Sequence, residues 1–156
     1  MGRIEERLKA LGITLPVPAA PVANYVPFVN VDGIVTVSGQ LCLGADGKIA
    51  PDHVGIVGAG VAPEAAAAAA RLCAINLLAQ LKAAAGDLDN VRRCIRLGGF
   101  IASAPQFTGQ APIMNGASDL MVEVFGEIGR HARSTVGVAA LPLGVCVEVE
   151  GMFALE

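Results

Sequence analysis

The sequence contains few charged residues and very few aromatic ones. Charged side chains make up 16% of its 156 residues, the formal net charge is -3 at pH 7, and there is one tyrosine and no tryptophan. Binding of single-stranded nucleic acid usually requires a basic surface together with aromatic rings on which bases stack. Only Arg92, Arg93 and Arg96 cluster in the sequence. A nuclease or RNA-binding function is therefore poorly supported by this composition.

Most familiar catalytic and metal-binding motifs are also missing. The two histidines, His53 and His131, form no His-x-x-x-His pair, and no Cys-x-x-Cys spacing occurs, so we expect no zinc site. The sequence has no Gly-x-Ser-x-Gly elbow of a serine hydrolase and no phosphate-binding P-loop. His131 could act as a general base, but the sequence shows no partner to orient it. We therefore expect His131 to be a solvent-exposed loop histidine.

The cysteine pattern and the hydropathy bear on location and assembly. No stretch reaches the roughly 18 consecutive apolar residues of a membrane helix. Apolar residues nevertheless make up 54% of the chain, which predicts a large buried interface between subunits. The cysteines show no close pairing, which predicts reduced thiols in a cytoplasmic protein; they are Cys42, Cys73, Cys94 and Cys146.

The N-terminal part of the chain predicts a docked helix followed by an irregular connection. Apolar residues in and just after residues 3–10 recur at helical spacing, as in a short amphipathic helix that packs on a domain. Residues 14–27 are rich in proline and predict an extended connection. We therefore divide the chain into an N-terminal helix and extension, residues 1–20, and a main domain, residues 21–156.

The next segment predicts a hairpin. Asp32-Gly33 lies between the β-type residues 28–31 and 34–38, and glycine tolerates the positive φ that a tight turn requires. A third short strand is expected at residues 41–43, closed by a turn at residues 45–48.

The middle of the chain predicts a long helix and a central strand. Pro63 suits the first turn of a helix and Gly86 suits its end, so a helix is expected over residues 63–85. Residues 91–102 are continuously apolar enough for a central strand. The glycines of residues 55–60 do not have the spacing of a dinucleotide-binding motif, so a loop is expected there.

The pattern of elements predicts an α+β fold. Residues 103–114 are expected to form an irregular loop, and Asn115-Gly116 to begin a second helix that ends at Gly129. A strand that reaches the next one through a helix usually forms a right-handed parallel crossover. We therefore predict a mixed sheet with two helices packed on one face, preceded by the short N-terminal helix.

The segment from Arg133 to Glu150 predicts two short strands joined by a reversal at residues 141–144. Apolar residues alternate in both halves. In the second strand, Cys146, Glu148 and Glu150 would share the face turned away from the helices. Across such a reversal Arg133 and Glu148 would lie about five residues, or roughly 15 Å, apart along the sheet. A small-ligand site that uses both would have to form between subunits.

Three motifs carry a resemblance to a known family. They are Arg133-Ser-x-Val-x-Val-x-x-Leu-Pro followed by Val147-Glu-Val-Glu, the segment Val37-Ser-Gly-Gln, and Tyr25. Together they resemble the reactive intermediate deaminases, also called the RidA or YjgF family. Many members of that family carry the older label of L-PSP endoribonuclease or translation inhibitor. The resemblance covers the chain from about residue 20 onward.

The resemblance implies a fold, an assembly and a reaction. It implies a chorismate mutase-like domain that forms a homotrimer with three clefts between subunits. The reaction would be that of a 2-iminobutanoate or 2-iminopropanoate deaminase. Such an enzyme hydrolyses reactive enamines or imines, such as 2-aminoacrylate, to 2-keto acids and ammonia. No metal or organic cofactor is expected, because an imine carbon is already electrophilic.

The resemblance also implies roles for individual residues. Arg133 would bind the carboxylate of the substrate, Glu148 would orient or deprotonate water, and Tyr25 would shape the cleft. Thr135, at a position where many relatives have Cys or Ser, and the loop over residues 103–114 depart from compact members and leave the substrate open. The further ligand-contacting residues would be Ser38, Gly39, Asn115 and Thr135.

Other interpretations remain open from the residues alone. Arg133 could form a salt bridge between subunits with Glu148 or Glu150, Asn115 could cap a helix, and Tyr25 could simply pack. At the level of the whole protein, the alternatives are a non-catalytic trimer that binds a small carboxylate and an endoribonuclease or translation inhibitor. The acidic net charge speaks against the last of these.

Overall fold

The computed structural model describes residues 1–21 and 23–156, which form one mixed sheet covered on one face by helices. The helices are α1 (Arg3–Ala10), α2 (Pro63–Ala85) and α3 (Gln110–Phe125). The strands are β1 (Phe28–Val31), β2 (Ile34–Gln40), β3 (Ile56–Val57), β4 (Gly60–Val61), β5 (Val91–Ala102), β6 (Ala132–Val138) and β7 (Val147–Leu155). β3 and β4 pair with each other, and the other five form the main sheet. The predicted α+β arrangement, with α2 and α3 on one face, is confirmed.

The order of the strands corrects one prediction about the C-terminal segment. The sheet has the order β1-β2-β7-β5-β6, in which β5 and β6 are parallel and the other neighbours antiparallel. β6 and β7 therefore lie on either side of β5 and do not pair as a hairpin. The connection reverses direction through a 3-10 turn at Pro142–Gly144, in which Leu143 has a φ of 58°. Local alternation predicted both strands, but it carries no information about which strand lies between them.

The first hairpin is confirmed, whereas the third short strand is not. Val31 pairs with Ile34, and the two turn residues between them both have positive φ, at 52° for Asp32 and 83° for Gly33. Residues 41–43 form no strand. The side-chain Nδ2 of Asn76 in α2 donates to the carbonyls of residues 41 and 43, at 3.3 and 2.9 Å. A buried side chain therefore takes the place of a neighbouring strand.

α2 spans the predicted residues and forms the centre of the core. Gly86, with a φ of 73°, follows its last residue. α2 is long and apolar enough to cross a membrane by length and composition, but 61% of that apolar window is buried within the protein, as in a core helix. Its small side chains allow α3 to approach closely: a Cβ on Gly116 would lie 2.1 Å from the carbonyl oxygen of Ala67.

α3 begins earlier and ends earlier than the sequence indicated. It starts at Gln110 rather than at Asn115, and Pro112 lies in its first turn, where the missing N–H of proline costs nothing. The α-helix ends at Phe125 and a 3-10 turn continues to Gly129. Asn115 therefore lies inside the helix and does not cap it. The prediction failed because glycine, proline and glutamine in residues 103–114 suggested a loop.

The N-terminal segment is tied to the main domain at several points. Ile4 and Leu8 of α1 are buried in the common core, and the carboxylate of Asp89 accepts hydrogen bonds from the first backbone N–H groups of α1 at 2.8 Å. Further along, Gln80 of α2 donates to the carbonyl of Ala19 at 2.8 Å. Val22, within the predicted extended connection of residues 14–27, lies outside the described residues. The division of the chain at residue 20 remains a proposal.

The sheet has a buried face and an open face. Val147, Val149 and Phe153 of β7 are fully buried against the helices, so Glu148 and Glu150 project from the opposite, outer face. Cys146 was expected to share that outer face, but it precedes β7 and is fully buried. Like the other three cysteines it is a buried free thiol, and burial raises the pKa of Cys146 to about 11.

Candidate functional site

The candidate site residues fall into two clusters, the first of which surrounds Arg133 on β6. β6 is an edge strand, and Arg133 lies on the face of the sheet covered by helices, where α3 meets it. Its Nη1 donates to Asn115 Oδ1 at 2.8 Å and to Ser118 Oγ at 3.1 Å, and its Nη2 donates to the Ala111 carbonyl at 3.1 Å. Three acceptors on successive turns of α3 thus fix the guanidinium.

The charge of Arg133 is not neutralised within one chain. None of its contacts among residues 1–21 and 23–156 is a carboxylate, and none of those residues accepts a hydrogen bond from its Nε. Its Nε–H and one N–H of Nη2 have no acceptor among these residues, and an arginine can bind a carboxylate side-on through Nε and Nη2. Asn115 was predicted to contact a ligand, and here it holds Arg133.

His131 differs from its predicted environment. It is half-buried, its Nδ1 lies 2.6 Å from the Gly129 carbonyl, and its Nε2 lies 2.8 Å from Ser118 Oγ. Burial lowers the pKa of His131, and the charges of Arg133 and Arg93 lower it further, against the effect of the Gly129 carbonyl. His131 does lie in a loop, just before β6, but the expectation of a solvent-exposed side chain without an orienting partner was wrong. Ser118 reaches it from α3, and the Gly129 carbonyl, two residues earlier, also contacts it.

Thr135 lies two residues beyond Arg133, on the same face of β6. Its Oγ1 is buried and has no hydrogen-bond partner among the described residues. It pairs across the sheet with Gly99, whose missing side chain makes room for Met114: a Cβ there would lie 2.4 Å from the methionine sulfur. A buried hydroxyl without a partner is costly, and it is the kind of group that a ligand or neighbouring chain satisfies.

The second cluster lines a cavity of about 390 Å³ on the other side of the chain. Four predicted residues lie in its wall, namely Tyr25, Ser38, Gly39 and Glu148, and most of the remaining wall is apolar. The sequence did not indicate the other contributors, which come from the N-terminal extension, from α2 and from the reversal before β7; they include Ala19, Pro21, Gln80, Pro142 and Leu143. These residues are far apart in the sequence, so a local sequence pattern does not show that they line one cavity.

Ser38 and Gly39 hold this cavity in shape. The Ser38 hydroxyl donates to the Val26 carbonyl at 2.8 Å and its backbone N–H donates to the Pro27 carbonyl at 2.9 Å. Ser38 thus fastens the segment that carries Tyr25, whose side chain is 51% exposed. A Cβ on Gly39 would lie 2.4 Å from Glu148 Oε1, so glycine is required for the carboxylate to occupy its position.

Glu148 has the electrostatic surroundings of a proton acceptor. Burial raises its pKa, and the charge of Glu150 raises it further. Glu150 in turn lies 3.7 Å from the Arg96 guanidinium. Among the residues that the structure describes, no three His, Cys, Asp or Glu side chains are grouped so as to hold a metal ion.

The two clusters are separated by the sheet itself. Arg133 pairs with Leu97 of β5 and Glu148 pairs with Phe100, three positions further along the same strand. Odd spacing places the two side chains on opposite faces, about 10 Å apart along the strand and two strand spacings apart across it. The predicted offset of five residues was therefore too large, because it assumed a hairpin. Within one chain the two residues still cannot contact one small ligand.

Comparison with known proteins identifies the family. Residues 5–154 match the model of the family described as YjgF/chorismate mutase-like, putative endoribonuclease. Protein TCP17 of Trypanosoma cruzi is 46% identical over 99% of this chain and 96% of its own length. The chain therefore belongs to the YjgF family, of which the RidA proteins are members, and the resemblance drawn from its motifs is confirmed.

Two solved structures show the same fold over nearly the whole chain. A protein of unknown function from Agrobacterium tumefaciens is 50% identical, with a TM-score of 0.89 over 98% of this chain and 92% of that one. A putative endoribonuclease from Shewanella oneidensis is 34% identical, with a TM-score of 0.93 over 99% of this chain and 100% of that one. The predicted chorismate mutase-like fold is thereby confirmed, N-terminal extension included.

Proposed function

We propose that this protein is a hydrolase that converts reactive enamines or imines derived from amino acids into 2-keto acids and ammonia. The reaction takes place in three clefts between the subunits of a cytoplasmic homotrimer. In each cleft, the Arg133 cluster of one subunit faces the Glu148 cavity of the next.

One observation carries this proposal. An uncompensated guanidinium and a carboxylate of raised pKa lie on opposite faces of one sheet, so each chain holds two complementary half-sites. The outer face of the sheet also exposes apolar side chains, including Val29, Val31, Ile34 and Val136. An exposed apolar sheet face of this kind supports association with further copies of the chain.

In the proposed mechanism Arg133 binds and orients the substrate carboxylate. The carboxylate accepts hydrogen bonds from Nε–H and from the remaining N–H of Nη2, while the acceptors on α3 hold the rest of the guanidinium. Because three hydrogen bonds to α3 fix the guanidinium of Arg133, it is oriented before the substrate arrives.

Glu148 acts on the attacking water. The enamine first tautomerises to the imine. Water then adds to C2 while Glu148 takes a proton from the water and passes it to the nitrogen, which gives a carbinolamine. Glu148 next moves the hydroxyl proton to the amine, so that the C=O bond forms as the C–N bond breaks and ammonia leaves. The overall reaction consumes one imine and one water and yields one keto acid and one ammonia. A carboxyl group with a raised pKa is a better proton acceptor near neutral pH than an ordinary glutamate. Tyr25 covers the apolar wall that receives the substrate side chain.

The proposal is tested by measuring ammonia release from freshly generated 2-aminoacrylate. Arg133→Ala is expected to lose at least roughly 100-fold in kcat/KM, because a bidentate charged contact is removed. Arg130→Ala is the matched control, since Arg130 is exposed and pairs only with Glu127 among the described residues. Equal rates for wild type and Arg133→Ala would contradict the role of Arg133.

Two further assays separate the alternatives. Tight binding of 2-ketobutyrate without any ammonia release would indicate a non-catalytic carboxylate-binding protein instead. Salt-sensitive RNA cleavage that survives in Arg133→Ala and in Glu148→Gln would indicate a nuclease. A crystal soaked with 2-ketobutyrate is expected to show its carboxylate on the Arg133 side chain.

A further inference from the structure

A chain of side-chain hydrogen bonds leads away from Arg133 and ends in the protein interior. Arg133 Nη1 lies 3.1 Å from Ser118 Oγ, Ser118 Oγ lies 2.8 Å from His131 Nε2, and His131 Nδ1 lies 2.6 Å from the carbonyl oxygen of Gly129. Beyond Arg133 itself, none of these groups has a role in the proposed mechanism.

The direction of each hydrogen bond follows from what the groups can donate. The Gly129 carbonyl is only an acceptor, so Nδ1 of His131 must carry a proton and donate it. A neutral imidazole then accepts a hydrogen bond at Nε2, and the hydroxyl of Ser118 donates it. The guanidinium is only a donor, and Ser118 Oγ accepts from it with a lone pair. Every donor and acceptor in this series of hydrogen bonds has a partner only if His131 is neutral and protonated on Nδ1.

The surroundings favour that neutral form. Burial lowers the pKa of His131, and the positive charges of Arg133 on β6 and Arg93 on β5 oppose a further cation there. The last acceptor in this series, the Gly129 carbonyl, is held rigidly. Gly129 packs so closely against α3 that a Cβ on it would lie 2.1 Å from the Met121 carbonyl oxygen. A fixed carbonyl orients the imidazole, and the imidazole orients the serine hydroxyl.

We infer that Ser118 and His131 are positioning residues, which fix the guanidinium of Arg133 in the orientation that presents its Nε–H side to the substrate carboxylate. The inference rests on the proposed role of Arg133 as the carboxylate anchor. Asn115 and the Ala111 carbonyl hold the guanidinium from α3, whereas the Ser118–His131 pair ties it to the segment that enters β6. Neither residue is expected to touch the substrate.

The first test needs no substrate. The chain has two histidines, so the imidazole nitrogens of His131 can be assigned by NMR with a His53→Gln variant as reference. The expected signature is a neutral ring protonated at Nδ1 at pH 7. Ser118→Ala should raise the pKa of His131, because it removes the hydrogen bond that stabilises the neutral form. A ring protonated at Nε2, or a pKa of His131 that Ser118→Ala leaves unchanged, would overturn the inference.

The second test compares binding with turnover. Ser118→Ala is expected to weaken 2-ketobutyrate binding and to raise KM by about fivefold, with a smaller change in kcat, because one hydrogen bond to the anchoring cation is lost. Ser118→Thr keeps the hydroxyl and should restore both values. Ser103→Ala is the matched control, since Ser103 Oγ contacts Gln110 of α3 and not Arg133.

The outcomes separate this inference from the proposed function. If Arg133→Ala abolishes 2-ketobutyrate binding while Ser118→Ala and a His131→Phe variant bind as wild type does, the positioning role is wrong and the anchor stands. If Arg133→Ala binds 2-ketobutyrate normally, the anchor itself is wrong, even where NMR shows the expected imidazole.

Discussion

At the scale of single residues, the position of the Glu148 carboxylate depends on a glycine. A methyl group at position 39 would overlap the carboxylate, with separations of 2.4 Å from Oε1 and 3.0 Å from Cδ of Glu148. The clash involves the end of a flexible side chain, so the carboxylate moves and the backbone does not. The absence of a side chain at Gly39 is therefore needed for the position of the Glu148 carboxylate and matters less for the fold.

Gly39→Ala is thus predicted to lower kcat for 2-aminoacrylate hydrolysis by roughly 10-fold or more, because a displaced base no longer reaches the water. The melting temperature should change little. Gly98→Ala is the matched control, because its Cβ would crowd Glu150 Oε1, at 2.7 Å, and not Glu148. An unchanged kcat in Gly39→Ala would show that the exact position of Glu148 is unimportant.

The raised pKa of Glu148 predicts the shape of the pH profile. Glu148 must be ionised to accept a proton, so kcat/KM should fall on the acidic side at a pH above the ordinary glutamate value of about 4.3. Glu150→Gln removes the neighbouring like charge, which lowers the pKa of Glu148. The acidic limb of the profile, where kcat/KM falls, should therefore move to lower pH. Burial, the larger cause, persists in the variant, so the shift should be partial. A limb that moves to higher pH would contradict this assignment.

At this scale a motif could name candidate site residues from the sequence, but it could not give the contacts that the tertiary structure decides. Arg133, Glu148 and Tyr25 could be selected because the family pattern marks them. The environment of His131 could not be predicted, since His131 lies in the loop before β6 and its partner Ser118 belongs to α3. The cavity wall from the N-terminal extension was missed for the same reason.

At the scale of elements, local signals predicted regular segments well and their partners poorly. The turn at Asp32-Gly33, the helix over residues 63–85 and the strand over residues 91–102 all lie where expected. These segments carry their own start and stop residues. The neighbours of β6 and β7, and the first turn of α3, depend on long-range packing that periodicity does not report.

The contact between α2 and α3 gives a prediction about stability. Gly116→Ala would place a methyl group 2.1 Å from the backbone carbonyl of Ala67, so the two helices must separate. We expect a loss of about 1–3 kcal/mol in the free energy of unfolding, as for overpacking in a core. Urea denaturation measures this loss. Asp119→Ala, at an exposed position of the same helix, should be close to neutral, and a Gly116→Ala protein as stable as wild type would contradict the close approach.

At the scale of the whole molecule, assembly of several subunits would explain both the two half-sites and the open apolar face of the sheet. A chain that carries its cation and its base on opposite faces has no complete site as a monomer. In the proposed closed ring, every Arg133 would face a Glu148 of the next subunit, and the apolar face would be covered at the same time. Sedimentation of the purified protein should therefore show a trimer. A monomer with full activity would contradict the account.

The most direct measurement mixes two inactive variants. Arg133→Ala and Glu148→Gln are each expected to be inactive alone, because every cleft then lacks one partner. After unfolding and refolding together in equal amounts, about one quarter of the clefts should combine an intact Arg133 from one subunit with an intact Glu148 from its neighbour. The account predicts recovery of about one quarter of wild-type ammonia release from 2-aminoacrylate. Mixed trimers, verified by native mass spectrometry, that remain inactive would contradict it.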